Sequence, residues 1–129
     1  QSVNEKVMIK RIDQQIRVNK LMADAFHNCQ FDSKHLKKYM LSYLDIITTV
    51  SSIMLVRAGT QEALDKKKEM LEYIREQDLW LYHKLRYSIL GRAANLPGRG
   101  LQSMSEILWI QLKNFPFMGK FFALQKLLL

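Results

Sequence analysis

Residues 46–56, reading IITTVSSIMLV, contain nothing but apolar, Ser and Thr side chains. A helix at a protein surface keeps charge on one side, so a segment that is apolar or small nearly all round has to be covered on every side. This run therefore predicts the central element, with the rest of the chain arranged about it. Its β-branched content (Ile46, Ile47, Thr48, Thr49, Val50, Ile53, Val56) leaves a buried strand as the lesser alternative, because periodicity alone does not type a short apolar run. The flank favours helix, since Leu36, Tyr39, Met40, Tyr43 and Leu44 recur at helical spacing. An uncharged run of 11 residues is short of the roughly 20 that a membrane span needs, and the chain is read as non-integral.

The neighbours follow in order. Ser2 and Glu5 make a capping box at a helix start, and Val7, Met8, Ile12, Ile16, Leu21, Met22, Ala25 and Phe26 continue it as an apolar stripe. Residues 28–33 break the pattern, and Asp32 or Ser33 can cap the central helix. Gly59 closes that helix and Thr60 caps the next, whose stripe is Ala63, Leu64, Met70, Leu71 and Ile74. Asp78 caps a fourth helix that carries Leu81, Tyr82, Leu85 and Ile89 and stops at Gly91 as its C′ residue. Asn95 to Gly98 is turn chemistry, with Pro97 and Gly98 suited to the two central positions of a type II turn. Ser103 or Ser105 can then cap a helix through Ile107, Leu108, Trp109, Ile110 and Leu112, before Pro116 interrupts. The expected fold is all-α, a compact bundle of five or six helices around a buried central helix. Its 129 residues, 48% of them hydrophobic, suffice for one cored domain, with 1–98 as the main bundle and 99–129 as a basic, aromatic C-terminal segment. A first residue of Gln suggests a piece of a longer protein.

Enzyme motifs are absent: there is no Gly-rich phosphate loop, no nucleophile elbow, no His-Glu-x-x-His and no Asp-x-Asp pair, so no catalytic residue is assigned. His27, Cys29, Asp32 and His35 lack a zinc spacing and read as a polar loop, with no metal expected. The single Cys29 fits a reducing compartment. Glu69, Glu72 and Glu76 beside lysines form a solvated face. Asp13 and Asp45 fall near apolar stripes and call for partners, with Arg11, Arg17 or Tyr43 as candidates. Met8, Met22, Met40, Met54 and Met70 are core filler.

Charge is unevenly placed. Residues 1–78 hold 13 basic against 11 acidic side chains, and residues 79–129 hold 7 against Glu106 alone, out of a net charge of +8. Arg86, Arg92, Arg99, Lys113 and Lys120 stand among Trp109, Phe115, Phe117, Phe121 and Phe122, a pattern that suits an anionic membrane surface. The same aromatics can instead close the core or dock on another domain. Nucleic acid is not expected, because the basic residues are scattered and no recognition motif surrounds them.

Gln1-Ser2-Val3, then Met8 to Val18 (MIKRIDQQIRV), then Asp78-x-x-Leu81-Tyr82 and Leu90-Gly91-Arg92-x-x-Asn95-Leu96-Pro97-Gly98 together resemble the C-terminal helical extension of bacterial family 2 (GT-A fold) glycosyltransferases of cell-surface polysaccharide synthesis. The resemblance covers about residues 1–98 and is most specific at 90–98. Leu79 departs from the Pro expected after the aspartate, and the chain after Gly100 departs from the family's usual ending. The resemblance implies a non-catalytic domain that follows the catalytic one, with nucleotide sugar and divalent metal held by the parent enzyme rather than this chain. It implies packing on the chain's own catalytic domain or a second subunit, and a cytoplasmic location, peripheral on the inner face of the membrane. Gly91, Pro97 and Gly98 then serve as a structural joint, and Arg86, Arg92, Arg99, Lys113 and Lys120 face phosphate. From another class, the rival reading is a stand-alone basic helical adaptor for a protein or an anionic surface.

Overall fold

A computed structural model of the chain describes residues 11–114. Among them are six helices and no strand: α1 (Ile12–Asn28), α2 (Lys34–Ala58), α3 (Gln61–Gln77), α4 (Leu79–Arg86), α5 (Ile89–Ala93) and α6 (Arg99–Lys113). The capping box at Ser2 and Glu5, Met8, and everything from Phe115 onward, Lys120 included, lie outside the described residues.

The run that anchors the sequence is helical, and ten consecutive residues of it, Ile47 to Val56, are buried. Local chemistry sets its ends. Ser33 Oγ accepts from Leu36 N at 3.0 Å, and Gly59 takes a left-handed φ of 72°, which glycine adopts without steric cost. Thr60 then opens α3 by accepting from Ala63 N at 3.1 Å.

Burial all round α2 has a concrete meaning. Leu55 meets Ile16, Ala63 and Met70. Leu44 meets Ala23, Phe26, Ile74, Leu81 and Leu85, and Ile47, Val50, Ile53 and Met54 meet Trp109 and Leu112 of α6. Any 18-residue window of α2 includes Asp45, yet its most apolar window has a mean hydropathy of 1.5, long and apolar enough by length and composition to cross a membrane. The uncharged-run criterion understated it, because one carboxylate does not offset the apolar residues on both sides. Of that window, 61% is buried inside the protein.

Helices α1 and α2 are antiparallel, since Gln15 meets Ser51 and Asn19 meets Thr48. Helices α1 and α3 run parallel. Asp13 pairs with Lys66, Lys20 with Glu69 and Asp24 with Tyr73, so contacts advance in the same direction along both helices. The expected α1 stripe needs correcting: Gln15 and Asn19 are buried, whereas Leu21 is 57% exposed and Ala25 is exposed. Hydroxyls on α2 explain it. Gln15 Nε2 donates to Ser51 Oγ (3.0 Å), Ser51 Oγ donates to Asn19 Oδ1 (2.7 Å) and Asn19 Nδ2 donates to Thr48 Oγ1 (3.1 Å). Buried polar groups that satisfy one another can occupy an interior seam.

The fourth helix also differs from expectation. Helix α4 ends at Arg86, and Ser88 starts α5 by accepting from Gly91 N at 2.9 Å. Gly91 is therefore inside α5 and not a C′ residue, and Ile89 is 86% exposed. The chain folds back so closely that a β-carbon on Gly91 would lie 1.9 Å from Leu85 O and 2.7 Å from Arg86 O. Gly98 does take a positive φ of 61°, but its ψ of −140° is far from the ψ near 0° of a type II turn. It precedes α6 directly, which leaves Ser103 and Ser105 inside that helix; Ser105 Oγ donates to Gln102 O at 2.7 Å. Trp109 and Leu112 close the core.

Candidate functional site

Residues 78–98 form a joint that each of the three long helices holds by one polar contact. Asp78, the α4 cap, accepts from Leu81 N at 2.9 Å and lies 3.0 Å from His27 Nδ1 of α1. Ser88, the α5 cap, donates to Asp45 Oδ1 of α2 at 2.8 Å. Asn95 accepts from Lys67 Nζ of α3 at 2.8 Å and donates to Gly91 O at 2.7 Å.

Burial and neighbours set the charge state of each tether. Burial pushes the Asp78 carboxyl up, but the Leu81 N–H bond, His27 and Lys37 outweigh it, and the group sits below the ordinary carboxylate range. Burial raises Asp45, and the Ser88 hydroxyl offsets only part of that. Lys67 is 8% exposed. Desolvation first, and the Arg86 guanidinium second, lower it from 10.5 to about 8. Its partner is a neutral amide, so its charge lacks the carboxylate that buried cations ordinarily have.

Three of the predicted cationic residues, Arg86, Arg92 and Arg99, lie on three successive helices. Arg86 is half-buried at the end of α4, near Lys67 and 5.2 Å from the Tyr87 ring. Arg92 and Arg99 are exposed on α5 and α6. Lys113 is the last residue of α6. Gly91 is buried, and Pro97 and Gly98 are exposed. Among the described residues no three His, Cys, Asp or Glu side chains are placed to share a metal ion; His27 of the polar loop turns to Asp78 instead. Asp13 and Asp45 take partners other than those expected, Lys66 and Ser88. The arrangement ties helices together.

Spacing singled out neither Lys67 nor Trp80. Trp80, 46% exposed, stacks on Phe26 at 6.3 Å and carries Lys37 Nζ at 4.6 Å and Lys84 Nζ at 5.5 Å from its ring centroid. A recess of about 250 Å³ beside it is lined in part by His27, Cys29 and Phe31. An apolar residue at position 80 amid lysines 37 and 84 was the one available sign, and it needed the packing of α2 on α4 to be read.

Comparison with protein-family models, with curated proteins and with solved structures gave no match.

Proposed function

We propose that this chain is a non-catalytic C-terminal helical domain of a glycosyltransferase that takes sugar from a nucleotide-sugar donor in polysaccharide synthesis. It serves domain packing, oligomerisation or placement at a membrane surface. The observation that supports this reading is the use of residues 78–98. The stretch that resembles the family is the one tied to three helices, and its glycine faces two carbonyls. A motif used in this way sets shape, as a domain that supports a neighbouring catalytic unit requires. Nucleotide sugar and metal then belong to that neighbour.

A stand-alone adaptor is the second reading, and the cation-flanked Trp80 favours it as a contact surface. Reading the coding sequence upstream of Gln1 separates the two. The proposal expects an in-frame domain with an Asp-x-Asp motif, and an in-frame stop codon close upstream ends it.

A further inference from the structure

Among the described residues some cations pair with carboxylates and others sit over aromatic rings. On the α1–α3 rim three are matched to carboxylates: Lys20 to Glu69, Lys66 to Asp13 and Glu62, Arg75 to Glu72. On the outer side of α4 others are matched to rings. Lys37 and Lys84 flank Trp80, and Arg86 lies over Tyr87. The Asp78 carboxylate feels the charge of Lys37, but it is 17% exposed and already engaged by His27 and Leu81 N.

The outer face of α4 is also apolar. Leu81 and Leu85 point into the core, whereas Trp80, His83, Lys84 and Tyr87, at spacings of three, four and seven, form a neighbouring exposed line, anchored where Trp80 stacks on Phe26. Leu79 is 55% exposed and Tyr87 51%, and Ile89 stands beyond them. A shallow groove lined by His83, Lys84, Tyr87 and Ser88 runs beside this line.

We propose that the outer face of α4, with Lys37 of α2, docks on an anionic lipid surface. Trp and Tyr carry an apolar body and a polar edge suited to headgroup depth. Lysine and arginine on the same face bring their charge to lipid phosphate while their stems lie along apolar surface. Charge complementarity selects the partner: among the described residues Lys37 and Lys84 sit over a ring and form no ion pair, and a surface that supplies negative charge gives them one. The inference rests on the placement role proposed above, and moves it from the arginines around the turn to α4.

The test is co-sedimentation of the full chain with phosphatidylglycerol-containing vesicles and with phosphatidylcholine vesicles, at low and high salt. The unchanged chain is expected to bind the anionic vesicles, and to release at high salt, where screening shortens to about 3 Å at 1 M. Lys37→Glu with Lys84→Glu is expected to weaken binding at least tenfold, on the order of one kcal/mol per lysine near the surface. These are surface positions, and circular dichroism checks that the fold survives. In a Trp109→Phe background Trp80 is the sole tryptophan, and its emission should shift to the blue on anionic vesicles. Binding lost in Arg92→Glu with Arg99→Glu, yet kept in the lysine pair, overturns the assignment to α4 and leaves membrane placement standing. Failure to bind either vesicle, or equal binding to both at every salt, overturns lipid docking and leaves the face to a protein partner. A dimer without vesicles that Trp80→Ala dissolves also overturns it. None of these outcomes bears on the upstream coding sequence, so the transferase reading stands or falls separately.

Discussion

Gly91 occupies a place with no room for a β-carbon. The atoms it would strike, Leu85 O and Arg86 O, are backbone, so relief requires the end of α4 to move. Gly91→Ala is expected to cost about 3 kcal/mol, read as a lower urea midpoint at unchanged slope. Lys67 carries a different kind of strain. Its folded pKa of about 8 lies below the ordinary 10.5, so between those values the unfolded chain binds the extra proton and stability rises with pH. Below pH 8 the full penalty of the buried charge is present. Lys67→Met is therefore expected to be about 1 kcal/mol more stable than the unchanged chain at pH 7. That advantage should shrink toward pH 9.5, before Tyr43 and Tyr73, both held above 10.0, ionise. Urea titrations at the two pH values check this, and an advantage that does not shrink would refute it. Neither residue was legible for its role. Gly91 follows a helical stripe and looks like a terminator, and Lys67 is the middle of three consecutive lysines, told apart only by which one faces Asn95.

At the level of elements, the seam between α1 and α2 holds Gln15, Asn19, Thr48 and Ser51 in mutual hydrogen bonds. Such a seam fixes how far one helix slides along the other, because a slip of one turn would bury the same groups unpaired. Asn19→Ala is expected to cost about 2 kcal/mol by removing the amide that bridges Thr48 and Ser51. A double-mutant cycle with Ser51→Ala should return a coupling of about 1 kcal/mol, and a coupling near zero would show that the pair is incidental. Helix α2 itself was legible, as were its caps and the start of α3, because Ser33, Gly59 and Thr60 act through neighbours a few residues away. The polar seam was not. Periodicity counts apolar residues, and Asn19 is held in its buried position by hydroxyls 29 and 32 residues away. The break between α4 and α5 was hidden for a similar reason: Ser88 ends one helix and begins another with help from Asp45 on α2.

For the whole molecule, α6 is the closing piece. Trp109 and Leu112 cover Ile47, Val50, Ile53 and Met54, and Arg57 lies 5.9 Å from the Trp109 ring. Trp109→Ala is expected to lower stability by about 4 kcal/mol, measured by urea unfolding, and a loss below 1 kcal/mol would show that α6 is peripheral. The all-α bundle and its central helix were legible from the run at 46–56. The choice that the sequence left open for the C-terminal aromatics resolves at Trp109 toward the core, since only packing tells an inward tryptophan from an outward one; Trp80 is the outward one. Burial of α2 on every side also has a consequence in time. During synthesis α1 precedes it, but α3, α4 and α6 follow, so an apolar helix of 25 residues leaves the ribosome before most of its cover has been made. Until residue 112 is available, Ile47, Val50 and Ile53 have no lid, and the growing chain must shelter them by other means.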